Sequence, residues 1–526
     1  MARCPYCVSL NPSGSTICIS CGRFMIGARG LSTRVGAHTP PSPTAYRARR
    51  GPAPNLKTRR GGRRRQRKQK KNLRTFVLVI AIAFIFLFTP AQERIEAQLG
   101  KWMDQLMEEF GGYREYPVSV SYSVERHVVL DNQHIHNDAT FTYRLPIPED
   151  RTERGVIGSS GFELDIGTTI QPISLQSISY MSVRTSNSQT TIDIPVQTQE
   201  VRLADDAISI DANSEVFWPN IQSDGGLDRC NVTRCVIWRG TLPPGTSDTL
   251  IVRYDVVGYS FTWHGSDVPS KVPKSSDSGG FDMFESNSGT FADLDRSGYL
   301  GAMKTSIGDH PQWYDRDPGS GVNWAIDGNH PIVVELANEI EASLPADKQD
   351  NVYAFAHAAY IHVYNEIIYD TGLSGNARSG PQCIADGRGD CDEQSNAWMS
   401  ILRTRGISSW YEFGPMTDAN FNSWEPHAWA NVLLPLDSDY CMTNGIEISS
   451  CYVEASVDVV NNKWLLHTPT SFTQWIEQPS GDGDGAYKFY RPLSSNGPSG
   501  MWAEVWNTIG EPQITGGLYQ IPAWVE

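Results

Sequence analysis

Residues 75–92, TFVLVIAIAFIFLFTPAQ, are eighteen consecutive positions without a formal charge, and they divide the 526-residue chain into two electrostatic halves. The 74 residues before the run hold 18 Lys+Arg and no Asp or Glu. Behind it, 26 basic residues face all 59 acidic ones, a net charge of −33. Such asymmetry indicates that the two parts meet different partners or compartments. A run of this length flanked by KQKKNLR reads as a transmembrane helix and not as a core helix. The preceding 74 residues far exceed the basic leader of a cleaved signal peptide. Lysine and arginine collect on the cytoplasmic side. The expectation is therefore a single-pass protein of the cell membrane, with its amino terminus in the cytoplasm and its large carboxy-terminal part outside.

The inner segment opens with Cys4-Pro-Tyr-Cys7 and, ten residues on, Cys18-Ile-Ser-Cys21. Four thiolates at this spacing reach one tetrahedral Zn2+. So small a segment cannot bury enough surface to fold alone, so metal would supply the stability. Residues 1–27 are read as a zinc ribbon with a cytoplasmic partner that the sequence does not name. Residues 28–74 form a basic, disordered linker. Within it, residues 57–74, opening on Lys57 and closing on Arg74, carry 11 positive charges. That run is read as a topology signal and a contact for anionic lipid headgroups. Nucleic acid ranks below these, because no aromatic residue interrupts the run to stack a base.

Residues 93–115 suit a short juxtamembrane helix. Over 116–266 the pattern turns to period two in VSVSYSVERHVVL, ATFTYRLPIP, TIDIPVQ, CVIWRG and TLIVRYDVVGYSF, which predicts an all-β sandwich. Cys230 and Cys235 are placed to close a small disulfide. Residues 267–328, rich in Ser, Gly and Asp, read as an irregular linker. Within them Asp293-x-Asp295-x-Ser297-Gly298 has oxygens and a glycine where a Ca2+ loop needs them. Lys304 stands where the bidentate Glu belongs, so an acidic turn is the default and Ca2+ the alternative.

Helical period returns after Pro331. Val333, Leu336, Ala337 and Ile340 form one apolar stripe, and Val352, Phe355, Ala359, Val363 and Ile367 a second. In GRGDCDEQSNAWMSILRTRGI, Ala397, Trp398, Ile401 and Leu402 share a helical face, and Gly406 is placed to stop the helix. Cys391 then sits in the first turn, where the positive helix end favours a thiolate. Downstream, EPHAWANVLLP reads as a strand beginning near His427. A thiol nucleophile needs a base, and the base an orienting acid.

The segments NHPIVVELANEI, NEIIYDTG, GDCDEQSNAWMSILRTRGI and PHAWANVLLP together resemble the transglutaminase-like superfamily, over about residues 329–475. The resemblance implies an α+β papain-like core with Cys391 as nucleophile and His427 as base. The β-rich segment before it is similar to the sandwich of membrane-anchored archaeal relatives. In CYVEASVDVV the acid position of the family falls on Glu454, but Asp458 lies on the same strand face, so periodicity does not separate them. Cys441 and Cys451, in an insertion between His427 and Glu454, suit a second disulfide. Cys383 is the odd thiol, buried or paired with one of these.

The expected architecture is multidomain: zinc ribbon, one transmembrane helix, all-β sandwich, α+β transglutaminase-like core, and a carboxy-terminal extension over 476–526. The expected function is an extracytoplasmic thiol enzyme acting on peptide or side-chain amides of a protein or peptide substrate, as protease, amidase or acyl transferase. A catalytically inactive binding or scaffold protein at the cell surface is the alternative.

Overall fold

The computed structural model describes residues 2–3, 10–11, 113–153, 173–219, 230, 234–263, 283, 285–296, 325–370, 378–418, 420–443, 446, 448, 451–476 and 492–522. The chain divides into two compact units, Met1–Leu106 and Met107–Glu526. In the first, Ala2–Arg3 pairs antiparallel with Leu10–Asn11. Cys4, Cys7, Cys18 and Cys21, the basic run 57–74, the apolar run 75–92 and residues 93–112 of the helix expected over 93–115 lie outside the described residues, whereas 113–115 are strand.

Among the described residues no helix is long and apolar enough to cross a membrane. A crossing needs about 20 apolar residues, whereas the longest described helix has 15 and is packed inside the second unit. This corrects two expectations, the transmembrane helix in the fold class and the single-pass cell-membrane localisation. Among the described residues strand predominates over helix, so the expected fold class is corrected to a mostly β architecture around a transglutaminase-like core.

In chain order the second unit begins with strands β1 (Tyr113–Asp131), β2 (Ala139–Pro146), β3 (Arg151–Glu153) and β4 (Ile173–Thr185). There follow β5 (Ile208–Ser209), β6 (Ser214–Phe217), β7 (Cys235–Leu242) and β8 (Ser247–Tyr259). Helices α1 (Pro331–Ser343), α2 (Val352–Glu366), α3 (Gly380–Asp386) and α4 (Cys391–Arg403) come next. Then come β9 (Ser409–Thr417), β10 (Trp424–Pro435), α5 (Ser438–Thr443), β11 (Tyr452–Val457) and β12 (Trp475–Ile476). Last are β13 (Leu493–Ser495) and β14 (Trp502–Pro522).

The sandwich follows from alternation. In β1, Val120, Tyr122, Val124, Val128 and Leu130 are buried at even positions, and in β8 so are Leu250, Val252, Tyr254 and Val256. Two sheets with such faces must cover one another. One sheet runs β13-β2-β7-β6-β5; the other runs β14-β1-β8-β4-β3, with Ile192–Asp193 paired to β4. The end of the chain thus returns to the sandwich. β14 pairs along β1 from Trp502↔Leu130 to Pro522↔Tyr113, with irregularities after Ile509 and Thr515. Residues read from sequence as an extension beyond the core close one edge of each sheet. Cys230 is bonded to Cys235 beside β7.

In the core, α4 and α2 pack on a four-stranded antiparallel sheet, order β11-β10-β9-β12, and α1 and α3 pack against α4. Both predicted apolar stripes are buried, from Val333 to Ile340 on α1 and from Val352 to Ile367 through α2. The Cys441–Cys451 disulfide closes the connection between β10 and β11. Core and sandwich share an aromatic joint. Phe421 and Trp424 lie 5.3 Å from Tyr122, and Phe472 lies 5.5 Å from Tyr254. Gln474 Nε2 also donates to the Tyr254 hydroxyl at 3.1 Å.

Candidate active site

The residues before Cys391 halt one helix and start another. Gly387 ends α3 at φ 61°, a left-handed conformation that glycine adopts without strain. Arg388–Gly389 then pairs in parallel with Ile368–Tyr369. Asp390 caps α4 in a capping box: its carboxylate accepts from Glu393 N–H, and Glu393 Oε2 accepts from Asp390 N–H at 3.2 Å. Cys391 is accordingly the first residue of α4. Ala397, Trp398, Ile401 and Leu402 anchor that helix, each with no exposed surface. Gly406 follows at φ 73°, as the sequence predicts.

The expectation of a thiolate at rest is reversed. Packing around the Cys391 thiol, then the carboxylates of Asp392 and Asp390, push it well above its ordinary value. The backbone N–H of Ala428, bonded to the sulfur, pulls the other way. Burial, then its hydrogen bond to Asp392, pushes the Asp390 carboxyl up to about 9. The helix end favours the thiolate, but packing around the sulfur and the buried Asp392 carboxylate beside it oppose that effect.

His427 lies in β10 opposite Gly414 of β9. A methyl at Gly414 would collide with the Phe472 carbonyl, so only glycine lets the chain pass there. The His427 Nε2 is 3.0 Å from Asp458 Oδ2. Asn461 Nδ2 donates to the same Oδ2 at 2.8 Å and lies 3.3 Å from Nε2. Burial alone would raise the Asp458 carboxyl, but His427, then Lys463 and Asn461, hold it down at about 2. With Asp458 ionised and accepting from Nε2–H, Nδ1 is the ring nitrogen with a lone pair for a proton. Since the Ala428 N–H meets the Cys391 sulfur, residues 391, 427 and 458 converge on one place.

Glu454 is elsewhere. It pairs with Leu433 of β10, six residues from His427, or roughly 20 Å along a strand. It is buried 3.8 Å from Arg151 Nη2. Asp458 follows the end of β11 and bridges back to Lys463, which brings it beside the ring. Sequence reasoning ranked Asp458 second and missed Asn461 and Trp429. The Trp429 ring stacks near His427 at 5.9 Å between centroids. Its signal was its place two residues beyond His427, on the same strand face.

Cys383 and Cys391 are both free thiols; Cys383 is fully buried. Burial, then Glu393, pushes the Cys383 thiol up. Asp293 spends its Oδ2 on Thr290 and its Oδ1 on the Ser438 hydroxyl at 2.9 Å. Positions 297–304 of that Ca2+-like loop lie outside the described residues.

Residues 336–442 match the model of the transglutaminase-like superfamily, and they form a domain of that superfamily. The span holds Cys391 and His427, while Asp458 lies just beyond it. No curated protein matches the chain. Among solved structures, it is similar to a candidate cysteine protease from Cytophaga hutchinsonii, at 11% identity and TM-score 0.38, over 78% of this chain and 99% of that one. It is also similar to a candidate protease from Parabacteroides distasonis, at 10% identity and TM-score 0.17, over 58% of this chain and 62% of that one. Both scores are low, and the functional reading rests on the site itself.

Proposed function

We propose that the chain is a cysteine-dependent amide hydrolase or acyl transferase in which Cys391 is the nucleophile, His427 the general acid–base and Asp458 its orienting acid. The observation that carries this reading is the 3.0 Å contact between His427 Nε2 and Asp458 Oδ2, beside a cysteine that begins a helix. Because the resting thiol is neutral, His427 Nδ1 takes its proton as Cys391 Sγ attacks the amide carbonyl. The tetrahedral intermediate collapses to a thioester, its C–N bond breaks, and the amine leaves with the proton from His427. Water, or a second amine, then attacks the thioester with His427 again as base, and the thiol is regenerated. The backbone N–H of Cys391 at the helix start is a natural oxyanion donor. The scaffold alternative supposed that no acid completes the site, and Asp458 weighs against it.

The substrate class is a peptide or side-chain amide on a protein. Two disulfides suit an oxidising compartment. For the amino-terminal segment the proposal is one structural Zn2+ on Cys4, Cys7, Cys18 and Cys21, tested by metal content in a Cys4→Ser variant. The enzymatic reading is tested with denatured casein, following both peptide release and incorporation of a fluorescent primary amine. Wild type should show one of these activities and Cys391→Ala neither. Equal turnover by the variant would refute the assignment.

A further inference from the structure

The face of the core sheet that carries His427 also carries a buried polar cluster that the proposed reaction does not use. Glu412 of β9 sits directly opposite Trp429 of β10 and has no exposed surface. Its Oε2 accepts from Trp429 Nε1 at 3.1 Å and from the Thr473 hydroxyl at 2.8 Å. Its Oε1 accepts from Asn431 Nδ2 and from Arg151 Nη2. Arg151 also lies 3.8 Å from Glu454, so one guanidinium serves two buried carboxylates. Arg151 belongs to β3 of the sandwich, far from the 336–442 domain in sequence. A second tie runs in parallel: Gln176, paired with Arg151, accepts from Thr473 N–H at 2.6 Å and donates to the Thr473 carbonyl at 2.8 Å.

We infer that the sandwich positions the catalytic histidine, with Arg151 acting through Glu412 and Trp429; this rests on the thiol-enzyme reading of the site. A carboxylate is acceptor-only, so an ionised Glu412 serves four donors at once. Arg151 supplies the charge that keeps it ionised in a buried place. Without that guanidinium Glu412 loses the cation beside it and one of the donors that hold Oε1, and its carboxylate is free to turn. Trp429 then loses the acceptor that fixes its ring, and that ring packs against His427. Arg151 is thus a positioning residue supplied from outside the catalytic domain.

The test follows alkylation of Cys391 by iodoacetamide in the full chain, read by peptide mass spectrometry. Wild type is compared with Arg151→Met, Arg151→Lys and Trp429→Phe, with folding checked by thermal unfolding. Arg151→Met should slow labelling by roughly 10- to 100-fold, the scale on which small misplacements of a reacting group act. Arg151→Lys should recover part of that loss, and Trp429→Phe should reproduce part of it. A folded Arg151→Met labelled at the wild-type rate overturns the inference. If Arg151→Met fails to fold, wild-type rates in both Arg151→Lys and Trp429→Phe overturn it instead. Wild type in which Cys391 reacts at the same rate as in His427→Ala refutes the thiol-enzyme reading itself, so the two failures are distinguishable.

Discussion

Replacing Asp458 by asparagine keeps the side chain's shape and removes its charge. In the fold that carboxyl is held at about 2, against an ordinary value of 3.8, because His427, Lys463 and Asn461 outweigh its burial. At about 1.4 kcal/mol per pH unit the difference is worth about 2 kcal/mol. The folded value lies below the unfolded one, so this stabilisation is complete above about pH 5 and is lost as pH falls from about 4 to 2. By pH 3 about 1 kcal/mol of it is gone. The D458N variant has no such acid limb at this position. Urea unfolding of both proteins at pH 6 and pH 3 should therefore show wild type the more stable at pH 6, with the gap narrower by about 1 kcal/mol at pH 3. Turnover should fall by roughly 10⁴-fold, as when an orienting carboxylate becomes an amide and misplaces the imidazole proton. A gap independent of pH, or turnover within tenfold of wild type, would refute the reasoning.

Gly414→Ala drives a methyl into the Phe472 carbonyl opposite His427; it should cost about 1–3 kcal/mol and slow Cys391 labelling, measured by unfolding and alkylation. The double variant Cys441→Ser, Cys451→Ser opens the connection between the His427 strand and the Asp458 strand, and chemical denaturation should show a loss of about 2–4 kcal/mol. Trp398 is fully buried in α4, with Nε1 donating to the Ala356 carbonyl at 3.2 Å; Trp398→Ala should cost about 3–5 kcal/mol in the same assay.

The elements that sequence reasoning reached are those fixed by local periodicity. The stripes of α1 and α2, the start of α4 at Cys391 and the strand at His427 all depend on neighbours within a few residues. What it missed depends on register and on pairing across long separations. Glu454 and Asp458 share a face of one strand direction, and only the pairing Leu433↔Glu454 tells which end meets His427. That register is set beyond an insertion holding α5 and a disulfide, so no turn signal announces it. β14 pairs with β1 across nearly the whole second unit, and its glycines and irregularities blur the alternation that marked the other strands. The thiolate expectation failed because a helix end was weighed without the packing around the sulfur and the buried Asp392 carboxylate beside it. Arg151 reads in sequence as an ordinary charge between two strands; only the packing of sandwich on core gives it Glu412 as a partner.

The central claim, a histidine-assisted thiol at Cys391, is tested most directly by site-resolved alkylation of wild type and His427→Ala. Iodoacetamide at pH 7.5 should modify Cys391 and spare Cys383, which is fully buried. Removing the imidazole should slow the Cys391 reaction at least tenfold while both proteins remain folded. Equal rates in the two proteins would contradict the account.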